Sequence, residues 1–190
     1  AGDRGFSAGA DITEFGTAPS QAIARQIRWE RDLWGQFLGV SKPLIAAMHG
    51  FVLGAGVEMS MCCDIRIASD DAKFGLPEVG LGMIPTAGGT QTLPRLVPMG
   101  MCTGLILTGE IINAAEALRI GLINRVVPRA MLLATADEMA RKIMSRSQIA
   151  IRYAKQAINR GLDLPLEQGL EMERELFTMA LSAAGGSGSA

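Results

Sequence analysis

A short apolar run, Leu44-Ile45-Ala46-Ala47-Met48, is closed off by Pro43 on one side and by Gly50 on the other. Such a run between turn residues reads as a buried strand, and a buried strand commits the chain to a layered core. Gly54-Ala55-Gly56 follows, and then Val57 to Cys63, a short helix of small and sulfur-bearing residues. Asp64-Ile65-Arg66-Ile67-Ala68 alternates polar and apolar residues and reads as a second strand; Lys73-Phe74-Gly75 is a shorter one. Strand and helix therefore interleave through the first half.

The rest of the chain is read against that interleaving. Residues 1–18 are rich in glycine and alanine and read as loop and turn. Pro19 and Ser20 open one helix, with Ile23, Ile27, Trp34, Phe37 and Leu38 at roughly helical spacing, ended by Gly39 and Pro43. Gly88-Gly89-Thr90 precedes a helical segment to about Val97, disturbed by Pro94, and Met99–Leu107 reads as a buried helix. Asn113 caps a helix to Arg119 with Gly121 as its stop, and Ile123–Val127 reads as a strand. From Pro128 the pattern is helical, over 129–145, 147–160 and 165–183, and Gly185–Ala190 has the composition of a flexible linker. The expected class is α/β: a core over residues 1–128, a helical region over 129–184 and a Gly/Ser tail over 185–190. Ala1-Gly2-Asp3-Arg4-Gly5-Phe6 reads as the middle of a loop.

Composition narrows the function classes. Of 190 residues, 48% are hydrophobic and 19% charged, which is the balance of an ordered globular chain. A formal net charge of −1 leaves no electrostatic footprint for nucleic acid or for an anionic membrane. Cys62, Cys63 and Cys102 form no CxxC pair, which argues against a zinc site or a disulfide framework, and His49 is the only histidine, so no metal site is expected. No apolar run reaches the length of a membrane span, and no signal peptide is expected within these 190 residues. Reduced thiols fit a bacterial cytoplasm or a mitochondrial matrix.

Two glutamates stand out. Glu58 lies in Gly54-Ala55-Gly56-Val57-Glu58 and Glu78 in Phe74-Gly75-Leu76-Pro77-Glu78-Val79-Gly80. Both settings are apolar, and there a carboxylate shifts toward neutrality and exchanges protons at cell pH. The plainer alternatives are a helix-start glutamate facing water and a loop carboxylate bonding its own backbone. Small residues at Ser7-Ala8-Gly9-Ala10-Asp11 and Gly54-Ala55-Gly56 let a ligand approach the backbone, and two N–H donors from separate loops would make an oxyanion hole; ordinary tight turns are the alternative. His49 reads as a polar strand-end residue, Asp64 as a corner hydrogen-bonder, and Met83, Met99 and Met101 as core filler.

In order along the chain, Phe6–Ile12, Lys42–Gly50, Gly54–Ile65, Phe74–Gly82, Pro85–Gln91 and Leu107–Gly109 resemble the crotonase superfamily, and within it the enoyl-CoA hydratases. The resemblance implies a spiral of ββα units followed by helices that trimerise, an acyl-CoA substrate, and no cofactor beyond the CoA that the substrate carries. It implies that Glu58 activates water and Glu78 handles the α-carbon proton, and that the N–H groups of Ala10 and Ala55 hold the enolate. Ala8, Asp11 and Ile12 match the wall around the adenine, Gly56 belongs to the oxyanion loop, and Thr108 and Gly109 match a motif near the acyl chain. The first ββα units and the last helices of the family are expected to lie outside this stretch. The expected partner is a second and third copy, as a trimer or a dimer of trimers.

Three other readings stay open on the residues. One is a 3-enoyl-CoA isomerase, which needs one carboxylate where this chain has two. The second is RNA binding, resting on Arg25, Arg28 and Arg31 along one helix face. The third is an inactive fragment.

Overall fold

The computed structural model describes residues 2–14, 16–30 and 32–185. The side chains of Arg25 and Arg28, all of Arg31, and the tail beyond Gly185 lie outside the described residues. The chain gathers into two compact units, one of Ala1–Gly39 with Leu44–Ala136, the other of Val40–Pro43 with Asp137–Ala190.

The first unit contains β1 (Gly5–Ser7), α1 (Gln21–Glu30), α2 (Leu33–Leu38), β2 (Ile45–Met48), β3 (Phe51–Leu53), α3 (Ala55–Met61), β4 (Ile65–Ser69) and β5 (Lys73–Gly75). A 3-10 turn follows at Pro77–Leu81, then α4 (Gly89–Thr92), α5 (Met99–Thr108), β6 (Ile112–Asn113), α6 (Ala114–Arg119) and β7 (Arg125–Val127). Two sheets result, in the orders β1-β3-β5-β6 and β2-β4-β7. Every neighbouring pair is parallel except β5 with β6. From β1 to β5 consecutive strands alternate between the sheets: β2 and β4 lie in one, and β3 and β5, which directly follow them, lie in the other. The corner between β2 and β3 is Gly50, at φ +54, where a Cβ would collide with the Arg4 carbonyl oxygen.

Met48, Val52, Ile67 and Phe74 from the strands and Leu93, Leu105 and Leu122 from the segments around them are buried. Each such side chain contributes about 1.5–3 kcal/mol of apolar burial. Arg66 is buried among them on β4; its Nε donates to the Leu122 carbonyl at 2.7 Å and its guanidinium to the Cys63 carbonyl at 2.6 Å. Burial lowers its pKa, while Cys63 and Asp64 act in the opposite sense. Asp64 Oδ2 accepts from the Leu44 N–H at 2.7 Å, pinning the start of β2 to the end of the α3 segment.

The structure departs from the sequence reading in short elements. β1 stands inside the stretch read as loop, and β3 and β6 were not expected. These strands have two or three residues and no periodicity of their own; partner strands define them. The single helix expected over the Pro19–Gly39 stretch is two, with Asp32 capping the second by accepting from the Gly35 N–H at 2.8 Å. Asn113 caps α6 as expected, accepting from the Glu116 N–H at 2.9 Å.

After a 3-10 turn at Arg129–Met131, α7 (Leu132–Met144) leads from the first unit into the second, which holds α8 (Gln148–Gly161) and α9 (Leu166–Gly185). Ser147 caps α8 through the Ala150 N–H, and Leu176 is buried between α8 and α9. No described helix is long and apolar enough to cross a membrane.

Candidate active site

β1, β3 and β5 are adjacent and parallel, so their C-terminal ends open on one edge of the sheet. Ligands of parallel α/β sheets settle outside the carboxyl ends of strands. Three segments leave that edge here: Ala8-Gly9-Ala10 after β1, Gly54-Ala55 after β3, and Leu76-Pro77-Glu78 after β5. All of these residues but Leu76 wall a cleft of about 600 Å³ together with Ile12, Glu58, Leu81, Gly82, Met83, Ile84 and Thr86. That volume suits a small-molecule site.

Glycines let the three segments touch. Gly54 has φ +54 and ψ −124, a backbone that a side-chain-bearing residue rarely adopts. A Cβ on it would lie 3.0 Å from Glu78 Oε1 and 3.7 Å from the Gly9 Cα. A Cβ on Gly9, at φ +103, would lie 3.2 Å from the Leu53 carbonyl oxygen and 3.7 Å from the Ala55 nitrogen. The Gly54 N–H is tied to the Gly75 carbonyl at 2.9 Å, which locks the end of β3 to the end of β5. Among the described residues, neither the Ala10 nor the Ala55 N–H donates to a protein acceptor. For Ala55 the reason is general: the first N–H groups of a helix have no partner within it.

The two carboxyl groups differ sharply. Glu58 sits in the first turn of α3 and is 3% exposed. Its Oε1 accepts from the N–H groups of Ala87 and Gly89, both at 2.8 Å. Glu78 sits on the 3-10 turn after β5 and is half-buried, and its Oε2 is buried with no hydrogen-bond partner. Burial pushes the Glu78 pKa up, its own backbone N–H pulls it down, and the neighbouring Glu58 charge adds to the rise. The one other such orphaned atom among the described residues is His49 Nδ1, at the corner between β2 and β3.

The cleft brings together Ala8, Ala10, Ile12, Ala55, Glu58 and Glu78 of the residues singled out in the sequence. Its wall does not include Asp11, Gly56, Thr108 or Gly109. Asp11 is exposed and accepts from the Thr13 N–H and hydroxyl at 2.9 and 2.7 Å, closing a 3-10 turn, and those bonds lower its pKa. Gly56 is buried against β1, where a Cβ would lie 2.7 Å from Ser7 Cβ. Thr108 and Gly109 close α5 behind Pro77.

Leu81, Met83, Ile84 and Thr86 in the wall, and the Ala87 and Gly89 N–H groups on Glu58, were not singled out by sequence reasoning. Met83 was read as core filler, yet it lines the cleft. The signal for the anchors was the Gly88-Gly89 pair: a Cβ on Gly89 would lie 2.9 Å from Glu58 Oε1 and 2.7 Å from Pro85 Cβ. Among the described residues no three His, Cys, Asp or Glu side chains gather as a metal site would.

A two-sheet α/β core, with two carboxyl groups and unpaired backbone donors at one strand edge, defines a class of acid–base enzyme sites. The chain belongs to the enoyl-CoA hydratase/isomerase family, whose model matches residues 1–186. It is 48% identical over 177 residues to a short-chain-enoyl-CoA hydratase of Clostridium acetobutylicum, covering 93% of this chain and 68% of that protein. A crotonyl-CoA hydratase of Syntrophomonas wolfei is 43% identical over 192 residues, covering 95% of this chain and 70% of that protein. The crystal structure of an enoyl-CoA hydratase from Bacillus anthracis superposes with a TM-score of 0.87 at 42% identity, over 94% of this chain and 69% of that one.

Proposed function

We propose that this cleft hydrates a trans-2-enoyl-CoA thioester, reversibly, as the relatives' names indicate for them. The observation that carries the reading is the unequal pair of glutamates beside the Gly54-Ala55 turn. The thioester oxygen sits against the free N–H groups of Ala10 and Ala55, which stabilise the enolate as charge develops. Glu58, with Oε1 occupied by two N–H donors, has Oε2 left to take a proton from water as the hydroxide oxygen bonds the β-carbon. The C=C electron pair moves to the α-carbon, which takes the proton held by Glu78; the raised Glu78 pKa suits that duty. A proton passing from Glu58 to Glu78 resets the pair. No cofactor is called for beyond the CoA of the substrate. Assembly as a trimer or dimer of trimers, in a bacterial cytoplasm or a mitochondrial matrix, belongs to the same proposal.

The test is a direct assay of the purified chain with crotonyl-CoA and, separately, with a 3-enoyl-CoA. Loss of the conjugated enoyl absorbance with the first is expected. Conversion of the second alone would replace hydration by isomerisation.

A further inference from the structure

The turn between α5 and β6 stands behind Glu78 rather than in the cleft, and its contacts are close. Gly109 is at φ +65, and a Cβ on it would lie 3.3 Å from Pro77 Cα and 3.6 Å from Val79 Cγ2, the two residues flanking Glu78. The turn is held from its own side: the Thr108 hydroxyl donates to the Gly104 carbonyl at 2.7 Å and accepts from the Glu110 N–H at 3.2 Å, while the Gly109 N–H donates to the Leu105 carbonyl at 3.1 Å. One residue on, the same turn abuts the end of β5: a Cβ on Gly75 would lie 3.2 Å from the Glu110 carbonyl oxygen and 3.1 Å from Ile111 Cγ1. In front, Glu78 Oε1 leaves only 3.0 Å for a Cβ on Gly54. The Glu78 segment thus has a wall at its back and the Gly54 backbone before its carboxyl group. Packed backbone on both sides leaves few other resting places for the carboxyl.

We infer that Gly109 is a positioning residue for the hydration reaction: the Thr108–Ile111 turn sets where the Glu78 carboxyl sits relative to Gly54 and Ala55. The absence of a side chain at Gly109 lets Pro77 take that place. This rests on the proposed hydratase reading for its kinetic consequence, but the placement of Glu78 is separately measurable.

The experiment compares Gly109→Ala with Gly121→Ala. Gly121 also has positive φ, at +85, but a Cβ there meets only the Leu96 carbonyl oxygen, at 3.5 Å. Both substitutions strain a helix end, so both lower Tm. Only Gly109→Ala is expected to lower kcat per folded molecule, by about tenfold with KM within about twofold, since displacements well under 1 Å erode near-attack geometry. Only Gly109→Ala is expected to move the Glu78 titration, followed by carbon NMR with Glu78→Gln to assign the signal, toward the ordinary carboxyl range. An unmoved titration in Gly109→Ala, or an equal loss of kcat in Gly121→Ala, overturns the inference while leaving hydration standing. A Gly109→Ala titration moved from the parent's, with the parent itself lacking hydratase activity, overturns the hydratase reading and keeps the placement of Glu78 by this turn.

Discussion

The ends of β3 and β5 are neighbours in one sheet and leave it in the same direction, yet they present their glutamates in opposite ways. After β3 the chain enters a regular helix, and Glu58 is tied by one oxygen to two N–H groups of the Ala87–Gly89 loop. After β5, Pro77 starts a 3-10 turn, and Glu78 is left with a buried oxygen that no protein group satisfies. One topology therefore yields an anchored carboxyl and a frustrated one. An unsatisfied buried polar atom costs stability, and such costs gather where chemistry is done.

The largest effect tests the glutamates themselves. Glu78→Gln and Glu58→Gln are each expected to lower kcat by about 10²–10⁴-fold in the hydratase assay. Circular dichroism should show the fold retained in both. Near-full activity in either variant would remove that residue from the reaction. A smaller effect tests the anchoring. Gly89→Ala places a methyl against Glu58 Oε1 and Pro85, so kcat is expected to fall by about 10–100-fold.

The smallest effect is thermodynamic and concerns the Glu78 carboxyl. The folded-state pKa of Glu78 lies above its unfolded value. The stabilisation from its protonated form is then fully present below the unfolded pKa and is lost as pH rises through the folded one. Glu78→Gln cannot ionise, so its Tm should exceed the parent's at neutral pH, with the gap closing below about pH 4. A gap that stays constant across that range would mean that Glu78 feels no burial cost.

Legibility followed the length of each element and the range of its contacts. β2 announced itself by its apolar run, β4 by its polar–apolar alternation, and the Asn113 cap by a local side-chain bond. β1, β3 and β6 did not, because two or three residues carry no period and Phe51 of β3 is exposed. Both glutamates were visible as carboxyls in apolar, glycine-rich surroundings. Their different treatment was not, because the groups that anchor Glu58 come from the Ala87–Gly89 loop, remote in sequence. Thr108 and Gly109 were expected near the acyl chain; Gly109 packs against Pro77 and Val79, which flank Glu78.

By itself, the sequence determined that this chain is α/β, that glycines stand where backbones must approach, and that two acidic groups sit in apolar company. Those are properties of composition and short-range pattern, set by burial and by the conformations open to each residue. Tertiary structure decided which three strand ends meet, which carboxyl is held and which is left unsatisfied, and what stands behind Glu78. Such outcomes depend on parallel pairing between segments far apart in the chain, and no local preference encodes them.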